Sequence, residues 1–297
     1  MKIENGEYEV LLNRIKHWVK IVGAEHRTIP LVLLHGGPGG NHYVFEKKVE
    51  PLLVKQRTLI YYEQRGCGRS ESPADEAAYT MDYLVRDFSA LYEYLSVKQV
   101  DLLGYSFGGE LALEIAYAYP TCIRRLVLSA PSLMNAPIQS FVQVAGFMSV
   151  ASDDILERIS RVVSEELPTK TLCEIIWSMV DADTVDSLLF QNQEIAKENR
   201  RLWEESGLLN TGIMERVIQQ NPPSIPLEKR LKDVLHPSII LTGAFDRNTG
   251  IPVATAIHQQ LPRNEIVLFP RSAHFPDLEE TETFVKQVAE FLNRNDG

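Results

Sequence analysis

The stretch best suited to chemistry in this 297-residue chain is Gly104-Tyr105-Ser106-Phe107-Gly108-Gly109. Apolar Val100, Leu102 and Leu103 lead into it like the end of a buried strand, and Leu111, Ala112, Ile115 and Ala116 lead out at helical spacing. Ser106 is therefore expected on a strand-to-helix turn, where flanking glycines let neighbouring backbone approach closely. A serine so placed is a candidate nucleophile for ester or amide hydrolysis. It needs a base to take its proton and a carboxylate to hold that base in the right tautomer.

On such a turn the order expected along the chain is Ser, then Asp, then His, with the last two on later strand-end loops. Asp246, in Thr242-Gly243-Ala244-Phe245-Asp246, and His274, in Arg271-Ser272-Ala273-His274, fit that order. Of the seven histidines, His17, His26, His42, His236 and His258 lie on an edge strand, beside Pro237 or within helices. His35 is the rival at a strand end, but it precedes Ser106 and directly adjoins His35-Gly36-Gly37-Pro38-Gly39-Gly40, a loop it is expected to shape. The tetrahedral intermediate also needs donors for its oxyanion. The backbone N–H groups of Phe107 and Gly37 are the candidates, with Gly36 or Gly39 as alternatives to Gly37.

Positioning these residues calls for alternating strands and helices. Glu7 to Asn13 and Arg14 to Val22 read as an antiparallel pair at a sheet edge, and Pro30 to Leu34 as a strand buried on both faces. Tyr43 to Leu53 reads as a helix, Thr58 to Glu63 as a strand, and Thr80 to Leu95 as a helix with Leu84, Phe88, Leu91 and Leu95 on one face. Ile123 to Leu128 is the next buried strand. From about Pro131 to Asp233 no strand-like run occurs, and amphipathic segments such as 153–163, 170–179 and 183–203 predict helices. Sheet rhythm resumes with Ser238 to Leu241, a helix near Pro252 to Leu261, the strand Glu265 to Phe269 and a last helix from about Leu278 to Leu292. The pattern predicts an α/β fold with a mostly parallel sheet: a core of residues 1–130 and 234–297, and a helical cap inserted at 131–233.

A 44% apolar composition can bury a substantial core. The charged opening Met-Lys-Ile-Glu-Asn-Gly-Glu has no apolar signal region and no membrane-length apolar run follows, so a soluble cytoplasmic protein is expected. Three widely spaced cysteines, at 67, 122 and 173, suggest neither a disulfide framework nor a zinc site. A formal charge of −10 argues against nucleic acid and anionic membranes as partners and leaves the function open.

The motif His35 to Gly40, together with Glu63-Gln64-Arg65-Gly66-Cys67-Gly68-Arg69-Ser70 and Gly104 to Gly109, resembles the proline iminopeptidase family of α/β-hydrolases. G-x-S-x-G is shared by many esterases, whereas the other two motifs together are more specific. The second begins with Glu63 where the family normally has Asp. The resemblance implies an eight-stranded sheet, a Ser-His-Asp mechanism without metal or cofactor, and removal of an N-terminal residue, often proline, from short peptides, so that a small-molecule or short-peptide substrate is the expected partner.

Similar peptidases bind the substrate ammonium with a cap Glu and, in some members, a Glu directly after the catalytic Asp. Glu215 lies at the corresponding separation from Asp246, while Glu204 and Glu205, beside Trp203, resemble a Trp-Glu pair of other members. Arg247 follows Asp246 and would repel an ammonium there. That cation supports a second reading, a carboxylesterase or lactonase with an apolar cap pocket. A catalytically silent binding protein is a third, and the Ser106, Asp246 and His274 set argues against it.

Overall fold

The structure, a computed structural model, describes residues 3–294. The expected core therefore extends at residues 1–2 and 295–297 beyond the described part. The chain opens with the hairpin β1 (Gly6–Leu12) and β2 (Ile15–Val22), then β3 (Leu31–Leu34), α1 (Tyr43–Lys48), α2 (Glu50–Leu53) and β4 (Leu59–Tyr62). Next come α3 (Met81–Leu95), β5 (Val100–Tyr105), α4 (Phe107–Ala118) and β6 (Ile123–Ser129). A helical insertion follows: α5 (Pro137–Val150), α6 (Asp153–Val163), α7 (Thr169–Met179), α8 (Ala182–Leu189), α9 (Gln193–Ser206), α10 (Ile213–Gln220) and α11 (Leu227–Arg230). The chain then returns to the sheet with β7 (Ser238–Gly243), α12 (Gly250–Gln260), β8 (Asn264–Phe269), α13 (Pro276–Glu279) and α14 (Thr281–Leu292).

Eight strands form one sheet in the order β1-β2-β4-β3-β5-β6-β7-β8. β1 and β2 are antiparallel to their neighbours, and every pairing from β4 to β8 is parallel. Side chains alternate along each strand, so the apolar runs feed two cores. Val32, Leu34, Ile60, Leu102, Leu128 and Ile240 pack on one face against Phe88, Leu111 and Ile257 of α3, α4 and α12. Leu31, Leu33, Leu59, Leu103, Val127 and Ile239 pack on the other against Phe45 of α1 and Phe284 and Val288 of α14. Burial on both faces is why these strands read as continuous apolar runs.

Three expected helices are each two. The segment 43–53 breaks between α1 and α2, where Pro51 in the first turn of α2 has no N–H to continue the ladder. The segment 183–203 divides into α8 and α9 because Phe190 turns extended and buried, after which Asn192 caps α9 by accepting the Glu194 N–H. The last helix divides at Glu280, whose carboxylate accepts from the Arg271 N–H and the Ser272 hydroxyl. Within the insertion, Phe147, Ile155, Ile159, Ile176 and Leu188 form a small core of their own. No helix among the described residues is long and apolar enough to cross a membrane.

Candidate active site

Ser106 sits between β5 and α4 with φ 53° and ψ −122°, a conformation that a side chain rarely adopts. The surrounding chain holds it there. The Ser106 N–H donates to Ser129 O of neighbouring β6, and Ser106 O accepts from the N–H groups of Gly109 and Ser132. A Cβ at Gly104 would stand 2.0 Å from Gly108 O, and one at Gly108 2.0 Å from Leu34 O, so this crossing of strand, helix and β3 requires glycine.

Asp246 and His274 leave the ends of β7 and β8. Gly243 lets their loops meet, since a Cβ there would lie 2.0 Å from Ala273 O. His274 Nδ1 lies 3.1 Å from Asp246 Oδ2 and its Nε2 3.0 Å from Ser106 Oγ. Asp246 Oδ1 accepts from the N–H groups of Asn248 and Thr249, and Oδ2 accepts from the Thr249 hydroxyl at 2.9 Å. Burial opposes ionisation of Asp246, but His274 and the Asn248 and Gly250 backbone outweigh it and bring the carboxyl down to about 2. The carboxylate is therefore charged and its ring partner oriented.

The glycine loop after β3 lies across from the serine. Gly37, at φ 124°, is in a region open to glycine, and Gly36 and Gly37 both line the cavity above Ser106. The Phe107 N–H belongs to the first residue of α4 and has no acceptor within the helix. His35 stays with the loop: its Nδ1 donates to Gly36 O at 2.9 Å while Nε2 accepts the Gln64 N–H at 3.0 Å. Burial favours its neutral form. Glu63 accepts from the His42 N–H and from Arg69 Nε and Nη2, so the residue that departs from the family pattern ties the second motif to this loop.

A cavity of about 720 Å³ opens above Ser106 and His274, walled by Phe45, Tyr105, Trp177, Phe190 and Trp203, and its charged lining is Glu174, Glu215, Asp186 and Asp277 with Lys170 and Arg200. Neither Glu174 nor Glu215 forms an ion pair among the described residues, and Glu215 accepts from Gln219 Nε2 at 3.2 Å. Glu174 and Glu215 are both exposed residues, yet loss of solvent around the Glu215 carboxyl, followed by the charge of Glu174, raises it above the usual carboxylate range.

Glu204, Glu205 and Arg247 do not line this cavity. Trp203 faces inward, and each further residue turns about 100° around α9, which carries Glu204 and Glu205 outward. Glu205 instead accepts from the Tyr43 hydroxyl at 2.6 Å and pairs with Arg201 at 2.7 Å. Arg247 turns its guanidinium to Ser187 O, Phe245 O and Gln191 Oε1, away from Ser106. Glu174 was not anticipated, because within α7 it has the spacing of an ordinary solvated residue. Asn248 was also missed, and its Nδ2 reaches 3.1 Å from His274 Nε2.

Sheet, elbow and strand-end loops define a class: residues 29–281 match the α/β-hydrolase fold family, and the chain belongs to it. Within that class it resembles the proline iminopeptidases. It is 28% identical to the proline iminopeptidase of Heyndrickxia coagulans over 89% of this chain and 90% of that one. It is 29% identical to that of Lactobacillus crispatus over 94% and 95%. Among solved structures, the proline iminopeptidase-related protein of Thermus thermophilus superimposes with a TM-score of 0.80 at 25% identity, covering 97% of both chains. The protein is a hydrolase of α/β fold.

Proposed function

We propose that this hydrolase is a serine aminopeptidase that removes an N-terminal, prolyl-type residue from short peptides. The observation that carries the reading is the pair Glu174 and Glu215, two carboxylates that form no ion pair among the described residues and line the cavity that also holds Ser106, where Lys170 stands beside them and Arg200 is paired with Asp186. Two like charges facing one cavity repel, and a substrate ammonium between them relieves both. The helical insertion then serves as a cap that selects the substrate's first residue, and its aromatic wall suits a compact apolar ring.

In this reading Ser106 Oγ attacks the carbonyl carbon of the first residue as His274 Nε2 takes its proton. The Phe107 and Gly37 N–H groups receive the oxyanion. His274 then returns the proton to the leaving amine, the C–N bond breaks, and an aminoacyl ester remains on Ser106. Water attacks this ester with His274 again as base, and the amino acid leaves as Ser106 is reprotonated. Asp246 holds the ring and stays ionised throughout.

Arg247, the residue that favoured an esterase or lactonase, faces away from the cavity, which removes its support for that reading. The test compares kcat/KM for prolyl arylamide, its N-acetylated form and short-chain p-nitrophenyl esters. The peptidase reading expects the free amine to be preferred over the acylated one by roughly 10²-fold, the scale of one or two charge-assisted hydrogen bonds. Equal rates on both amides, with esters far ahead, would overturn it. Ser106→Ala is expected to remove activity on every substrate.

A further inference from the structure

The insertion also reaches the candidate base through side chains. Asn248 Nδ2 lies 3.1 Å from His274 Nε2, the nitrogen that stands 3.0 Å from Ser106 Oγ. Asn248 Oδ1 accepts from Gln143 Nε2 of α5 at 2.7 Å. Gln143 Oε1 in turn accepts from Cys173 Sγ at 2.9 Å and, over a longer 3.5 Å, from Trp177 Nε1, both on α7.

The far end sets the direction of this chain. The Cys173 S–H at 2.9 Å and, at the longer reach, the indole N–H, which only donates, both point at Gln143 Oε1, so Gln143 offers α7 its oxygen and Asn248 its N–H. Asn248 must then meet Gln143 with its oxygen and His274 with its N–H. Only an unprotonated Nε2 can receive that donor, which leaves the ring proton on Nδ1, toward Asp246. Ser106 and Asn248 thus share one lone pair.

We propose that Trp177, Gln143 and Asn248 are positioning residues, a donor relay by which the helical insertion holds His274 Nε2 as a proton acceptor in the resting enzyme. The inference rests on the serine-hydrolase reading. When a proton passes from Ser106 Oγ to His274 Nε2, the new ring N–H faces the Asn248 N–H, donor against donor, and Asn248 must turn away. All four relay side chains, Cys173 included, line the cavity, so the relay borders the space a substrate enters. The insertion is joined to the same loop elsewhere: the His274 N–H donates to Leu189 O of α8 at 3.0 Å, and Phe275 stacks on Phe190.

The test is the pH profile of kcat/KM on a small aminoacyl arylamide for Asn248→Leu, Gln143→Leu and Trp177→Phe. The titratable groups facing the ring are Asp246 beside Nδ1, Asp277 of α13 and, at the far end of the relay, Cys173, while Glu174 and Glu215 of the same cavity also shape the acid limb and are common to every variant. Burial pushes Asp277 up to about 7, so the profiles are repeated with Asp277→Asn in every variant. Removing a donor that favours the neutral ring is expected to move the acid limb to higher pH. The shift is roughly half to one unit for Asn248→Leu, the scale of one net hydrogen bond, and smaller in the same direction for Gln143→Leu and Trp177→Phe. Gln143 and Trp177 make no hydrogen bond to Ser106 or His274 themselves, so their variants decide the matter if Asn248→Leu fails to fold. Acid limbs that superimpose on the parent, with Ser106→Ala inactive, would overturn the relay. Activity surviving in Ser106→Ala would instead overturn the serine mechanism beneath it.

Discussion

β3 is buried along its whole length and β5 up to Tyr105, whereas α9 of the insertion meets α1 through Tyr43 with Glu205 and Lys48 with Glu198, both at the surface. Asn210, in the loop before α10, adds a bond from Nδ2 to Pro38 O at 3.0 Å. The sheet region is therefore held by close packing that tolerates almost no displacement, and part of the insertion by polar contacts that water can replace. Ser106, Asp246 and His274 stand on the first region, whereas Glu215 stands on α10, whose Met214, Val217 and Ile218 pack into the sheet's core, and Glu174 on α7, whose Ile176 packs in the insertion's own small core. In the proposed reading, bond breaking belongs to the sheet's strand-end loops and substrate choice to the insertion, and Asn248 with Gln143 is one of several places where the two meet.

The comparison breaks most sharply at the elbow. Gly108→Ala places a Cβ 2.0 Å from Leu34 O, and the misplaced serine is expected to lose at least ~10² in kcat, or the fold itself, as kinetics and near-ultraviolet circular dichroism would report. In the insertion, Glu174→Gln and Glu215→Gln are each expected to raise KM for free-amine substrates about 10-fold or more while N-acylated substrates are unaffected. An equal change for both substrates would remove the ammonium role.

A third measurement concerns the sheet region alone. Burial raises Asp277 to about 7, and its Oδ1 has no hydrogen-bond partner among the described residues. A carboxyl raised in the folded state binds more protons there than in the unfolded chain, so its contribution to stability is full below the unfolded value near 4 and is lost as pH rises toward 7. Asp277→Asn should match the parent at pH 4 and exceed it by about 1–3 kcal/mol at pH 8 in urea unfolding. The smallest effect is expected at Gly212→Ala, where φ is 70° but nothing lies within 4 Å of the added Cβ. Backbone strain alone predicts a loss of about 1 kcal/mol with kcat unchanged.

The strands were legible because burial on both faces writes them as continuous apolar runs, and the elbow because its crossing leaves room only for glycine. The order of Asp246 and His274 could be read because each follows a strand. Helix interruptions at Pro51 and Asn192 were harder, since the apolar spacing runs on through both. Glu204 and Glu205 adjoin a cavity-facing tryptophan in sequence yet point away from it, while Glu174 reads as a solvated helix residue and, exposed as it is, lines the cavity.

Residue order and local sterics therefore determined the sheet, the glycine turn and the three residues brought together at the strand ends. Only the tertiary structure decided which carboxylates face Ser106 and that Gln143 reaches Asn248, 105 residues away. The physical reason is rotational phase. A strand offers two faces and a turn little steric choice, whereas a helix with its residues fixed about 100° apart can be turned as a whole about its axis until its neighbours are packed.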